Sequence, residues 1–305
     1  MPSQRRAVVV DAPSNLGLRP PSPDRIPGCW RLPQALRLEG LVARLDAVDG
    51  GRVEPPAYTP DRDATGTRNG LAIAGYSVKL ADRLGEVLDA DGFPVLLGGD
   101  CSILLGPMLA LRRRGRYGLA FVDGHLDFRH RGNSTQLSAV AGEDLAVVTG
   151  RGPEALAGLE GRRPLVPDAD VVALGHHDPD PAWYLDVTTS TGITVIGAAQ
   201  IRGDGAAEAA AKALTILEGR GVDGFWIHVD IDVLDRQVMP AVDSPEPGGL
   251  AYDELVALLR VFAASELATG MQVTIFDPDL DRDGHLAREL ATAVVDSFAP
   301  TQRES

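Results

Sequence analysis

The stretch VLLGGDCSILLG, residues 95–106, decides how the chain is read. Three apolar residues run into two glycines, an aspartate and a cysteine, and a second apolar stretch follows. That pattern predicts a buried strand, a tight turn exposing an aspartate, and the start of a helix. A thiol directly behind such a turn is a packing residue, a nucleophile or a metal ligand, and each choice for Cys101 leads to different chemistry.

Working outward, similar apolar runs recur along the 305 residues: RAVVVD, FPVLLGG, YGLAFVDG, DVVALG, ITVIGA, GFWIHVDID and MQVTIFDP. Each reads as a buried strand ending in Gly or Asp. Helical stretches such as GYSVKLADRLGEVLDA, AAEAAAKALTILEGRG and YDELVALLRVFAASEL lie between them. In the first, Leu80, Leu84, Val87 and Leu88 make one apolar face. Alternating strands and helices predict an α/β fold whose mostly parallel sheet is covered on both faces. One domain spanning 1–305 is expected, with an irregular Pro-rich excursion at about 20–60.

Composition narrows the function classes. The net charge of −14, from 43 acidic and 29 basic residues, argues against nucleic acid or an anionic membrane as partner. No apolar run approaches the ~20 residues that cross a bilayer, and the N-terminal AVVV is too short for a signal-peptide core. Two cysteines, Cys29 and Cys101, make no disulfide framework, so a reducing cytoplasm is expected.

Chemistry concentrates where strands end, which is where open α/β sheets bind ligands. FVDGHLDFR places Asp123, His125 and Asp127 at alternate positions, on one face if the strand stays extended. WIHVDIDVLD places Asp230 and Asp232 likewise, with Asp235 beyond. Carboxylates gathered at one sheet edge repel unless cations neutralise them. Oxygen donors with one imidazole suit Mn²⁺ or a similar divalent ion, and two such ions activate a shared water at neutral pH.

GGDCS, DGHLD and HVDIDVLD, in this order, resemble the three signatures of the ureohydrolase family, which includes arginase and agmatinase. MPAVDSPEPGGLAYDEL and LGHHDPDPAW resemble two further family segments, so the likeness runs from about Leu71 to the C-terminal helix. The resemblance implies an arginase-like three-layer αβα fold and a binuclear manganese site. It implies that Asp123 and Asp230 bridge the metals, that Cys101 and Asp127 complete one ion, and that His125 and Asp232 complete the other. A metal-bridging hydroxide would attack a guanidino- or amidine-type carbon, with Asp127 holding the attacking water. A small-molecule substrate and a homo-oligomer are implied as well.

Three departures sharpen the reading. Cys101 stands where the family has histidine, and a softer thiolate tilts that position toward Zn²⁺ or Fe²⁺. Ala141 stands where the family often has a proton-shuttling histidine, which leaves Glu143, His130, His176 and His177 as alternative relays. Ile275 stands where a family glutamate grips the guanidinium, so a charge-assisted bidentate bond is lost. A less basic group, such as an N-hydroxyguanidine, another amidine or an amide, suffers less from that change. Asp178 and Asp180 correspond to acidic positions near the substrate's amino end, and Ser244 to a pocket hydroxyl. Two rival readings remain open: a single-metal, deacetylase-like hydrolase, and a homologue that binds a ligand without turnover.

Overall fold

In the computed structural model, which describes residues 5–177 and 181–299, eight strands form one sheet. They are β1 (Ala7–Ala12), β2 (Val48–Arg52), β3 (Phe93–Gly98), β4 (Gly118–Val122), β5 (Val171–Leu174), β6 (Thr194–Ile196), β7 (Phe225–Asp230) and β8 (Ala268–Thr274). Their order across the sheet is β2-β1-β3-β8-β7-β4-β5-β6. Every pairing is parallel.

The period of two along each strand divides the core into two layers. Val9, Leu97, Ala120, Val122, Val229 and Val273 pack on one face with residues of the helices Ala206–Gly219, Tyr252–Ala263 and His285–Ser297. Val10, Leu96, Leu119, Phe121 and Trp226 pack on the other with residues of the helices Gly70–Asp89 and Leu105–Arg112. Burial on both faces explains why the inner strands are continuous apolar runs rather than alternating ones. The fold is therefore the expected three-layer αβα, with a sheet that is wholly parallel. No helix of the described residues is long and apolar enough to cross a membrane.

The stretch read as irregular holds the helix Leu32–Leu38 and the edge strand β2. VDGGR has no apolar alternation, because β2 lies at the sheet edge and buries only Gly50. It is fastened instead by charge. Arg37 Nε lies 2.8 Å from Asp11 of β1, and Arg37 Nη2 lies 2.9 Å from Asp49 of β2.

Candidate metal centre

The four central strands, β3, β8, β7 and β4, lie side by side, and parallel pairing sends all their carboxyl ends to one edge. The turn after β3 is shaped by contact with residue 14. A Cβ on Gly99 would lie 1.6 Å from the Ser14 carbonyl oxygen, so only glycine fits. The Asp100 carboxylate accepts bonds from Ser14 Oγ (2.7 Å) and the Ser102 amide (2.9 Å). Asp100 is thus a buried cap that fixes the turn, not the exposed acid the sequence suggested, and it delivers Cys101 to the sheet edge.

The other two segments turn rather than continue extended. β4 ends at Val122, and Asp123, His125 and Asp127 sit in the loop beyond, with Asp127 at φ 42°. Alternation along an extended strand is therefore not what gathers them. The His125 amide donates to Asp123 Oδ1 (2.6 Å) and the Asp232 amide donates to Asp230 Oδ1 (2.9 Å), so each first aspartate folds its own segment back.

Two donor clusters result. Cys101, Asp123, His228 and Asp230 offer ligand atoms all within 4.8 Å of one another, and so do Asp123, His125 and Asp232. Cys101 Sγ lies 2.7 Å from Asp230 Oδ2 and 3.1 Å from Thr274 Oγ1. His125 Nδ1 lies 2.9 Å from Asp232 Oδ2. Asp123 belongs to both clusters and joins them. Burial, followed by repulsion from Asp127 and Asp232, pushes the Asp123 carboxyl up. Burial likewise raises Asp230 and the Cys101 thiol, with nearby carboxylates adding to both effects. Burial also opposes ionisation of Asp232, yet the charge and hydrogen bond of His125, together with the Gly124 amide and His177, outweigh it and hold Asp232 low. Asp123 Oδ2 and His228 Nε2 are both buried without a hydrogen-bond partner. A mixed O, N and S donor set carrying repelling carboxylates and unsatisfied atoms fits divalent cations.

A cavity of about 210 Å³ opens onto this edge, lined by His125, Asp127, Asp230 and Asp232 on one side. Leu18, Arg19, Arg129, Ala141, Asp243, Ser244 and Ile275 complete much of its wall. That volume lies below the ~300 Å³ at which drug-sized pockets begin, so it suits a molecule of amino-acid size. A larger hollow of about 600 Å³ between the helices Tyr252–Ala263 and His285–Ser297 contains neither donor cluster.

Of the residues singled out from sequence, Cys101, Asp123, His125, Asp230 and Asp232 enter the clusters. Asp127, Ser244 and Ile275 reach the cavity, while Asp178 and Asp180 lie outside the described residues. Asp127 is in neither cluster, and His228 occupies a place beside Cys101 that the motifs did not assign. Among the alternative relays, His130 Nε2 is engaged with Asp186 (3.1 Å) and Glu143 accepts the Ser138 and Ala139 amides. His177 Nδ1 lies 2.9 Å from the Gly175 carbonyl oxygen. Sequence reading missed Arg19, whose loop carries no motif, and passed over Arg129, Asp243 and His228, which lie inside FVDGHLDFR, MPAVDSPEPGGLAYDEL and HVDIDVLD but were not singled out.

An eight-stranded parallel αβα fold with a carboxylate-rich, metal-type centre at its carboxyl edge is the class of protein these features define. The chain belongs to the arginase family, whose model matches residues 22–299. It is 27% identical over 302 residues to an arginase of Staphylococcus aureus (strain COL), covering 96% of this chain and 97% of that one. It is 29% identical over 272 residues to an arginase of Brevibacillus brevis, covering 87% and 90%. The solved arginase of Bacillus caldovelox superposes with a TM-score of 0.87 at 25% identity, over 98% of this chain and 100% of that one.

Proposed function

We propose that this protein is a metal-dependent hydrolase that cleaves a linear C–N bond in a small guanidino- or amidine-type molecule. The observation that carries the reading is the pair of donor clusters sharing Asp123 at one end of an amino-acid-sized cavity. In this reading Cys101, Asp123 and Asp230 hold one divalent ion, and Asp123, His125 and Asp232 hold a second. Bound there, the ions supply Lewis acidity and a water nucleophile usable at neutral pH. Manganese suits the oxygen-rich cluster, and the thiol side favours a softer ion such as Zn²⁺ or Fe²⁺.

The remaining residues orient the substrate. Asp127, at the cavity wall beside Asp230 and Asp232, accepts a hydrogen bond from the attacking water. Arg19 and Arg129 offer guanidinium groups to a substrate carboxylate. Asp243 offers a carboxylate to a substrate amine, a role shared in this proposal with Asp178 and Asp180. Ser244 adds a hydroxyl to the wall. Ile275 and Ala141 leave part of that wall without charge, which favours a reacting group less basic than a free guanidinium, an N-hydroxyguanidine foremost.

The test is metal content per chain after growth with manganese, beside Cys101→Ala, followed by a panel of guanidines, hydroxyguanidines and formimidoyl compounds. Close to two ions in the parent and close to one in the variant, with urea or another C–N cleavage product released, is the expected result. No bound metal in either protein after reloading sinks the proposal.

A further inference from the structure

On the core side of Asp123, strand β7 carries His228, an imidazole that is 0% exposed. Its environment fixes which nitrogen holds the proton. Trp226 Nε1, which is only ever a donor, lies 2.9 Å from Gln272 Oε1. The Gln272 amide is thereby oriented, and its Nε2 faces His228 Nδ1 at 2.8 Å. An amide N–H donates, so Nδ1 is the acceptor and keeps its lone pair. An imidazole whose Nδ1 keeps its lone pair carries its one proton on Nε2. That nitrogen is 3.6 Å from Asp123 Oδ2, and neither atom has a closer hydrogen-bond partner. Phe121 stacks on the imidazole at 4.5 Å and 16°, which holds the ring plane.

We infer that His228 is a positioning residue. Its Nε2–H points at Asp123 Oδ2 and orients the carboxylate common to both donor clusters, while the imidazole itself is withheld from the metal. Its distance to Cys101, Asp123 and Asp230 would otherwise qualify it as a ligand. Ligation through Nε2 needs a lone pair there. The ring would have to lose its last proton, or Gln272 would have to abandon two fully buried hydrogen bonds. The line Trp226–Gln272–His228–Asp123 thus transmits one orientation from the core to the sheet edge, much as histidine ligands are themselves oriented by partners behind them. The inference takes from the proposed function only the role of Asp123.

The test uses the full chain labelled with ¹⁵N-histidine, and two-bond ¹H–¹⁵N spectra recorded before and after addition of Zn²⁺, which is diamagnetic. A protonated Nε2 and an unprotonated Nδ1 at His228 in both spectra are expected. Loss of the Nε2 proton on zinc loading, or a proton on Nδ1 without metal, overturns the inference. A second measurement compares zinc affinity by chelator competition in His228→Gln, whose amide N–H stands near the position of Nε2–H, and His228→Leu. Weakening by about 10–100-fold in the leucine variant, with the glutamine variant near the parent, is expected. Equal loss in both variants overturns it. A chain that takes up no zinc sinks the proposed function, while the same spectra still decide the tautomer.

Discussion

Ile275 has φ 75°, a left-handed conformation that a β-branched side chain enters only under strain, and it is 4% exposed at the cavity wall. Backbone strain of this kind collects at functional sites. Ile275→Glu is expected to raise kcat/KM for a cationic guanidine relative to an N-hydroxyguanidine by about tenfold, the worth of one charge-assisted bond. Unchanged preference between the two substrates refutes that role. His228 gives a prediction for pH. An unfolded histidine takes up a proton below about 6.5, whereas the folded His228 refuses one down to about 3. The unfolded state therefore binds more protons in between, and stability falls as pH drops from 6.5. At pH 5 this removes about 2 kcal/mol from the metal-free protein. The raised carboxyls of Asp123 and Asp230 act in the opposite direction, so the parent is compared with His228→Gln. Urea unfolding at pH 7 and pH 5 should lose that ~2 kcal/mol in the parent relative to the variant; parallel curves refute it. Cys101, Asp123, His125, Asp230 and Asp232 were legible because motifs mark them. His228 was not, because its partners Asp123 and Gln272 are distant in sequence and only the fold brings them together.

At the scale of elements, the site depends on turns more than on strands. Gly99 lets the chain after β1 rest against the turn after β3, and its carbonyl accepts the Ile275 amide at 2.7 Å. Gly99→Ala therefore pushes three segments apart at once. A loss of ~3 kcal/mol or more is expected, read as a lower urea midpoint and weaker metal binding; a midpoint at the parental value refutes it. Six inner strands were legible as apolar runs, because burial on both faces leaves no room for polar alternation, and the edge strand β6 was legible from its β-branched Thr194, Val195 and Ile196. β2 was not, since its pairing with β1 is secured by Arg37, Asp11 and Asp49 rather than by apolar side chains. The aspartate spacing was legible too, but its cause was not. Local amide-to-carboxylate bonds, not strand pleating, gather those side chains.

At the scale of the molecule, the acidic centre links folding to metal. Carboxylates packed at one sheet edge weaken the metal-free state, and a cation held only by the folded chain stabilises it by about 2.7 kcal/mol per site at a hundred times its Kd. Saturating Mn²⁺ or Zn²⁺ should raise Tm by ~5 °C or more, and a chelator should reverse it. A Tm indifferent to both means that no cation prefers the folded chain. The sheet order carries a further consequence, for synthesis on the ribosome. β8, the last of these eight strands in chain order, lies between β3 and β7 in the middle of the sheet. A nascent chain that has yet to release residues 268–274 has two unjoined half-sheets, with Cys101 on one and Asp123 and Asp230 on the other. The cluster that includes Cys101 therefore comes together only once β8 has joined the halves, whereas Asp123, His125 and Asp232 all belong to the β7–β4 half and meet without it.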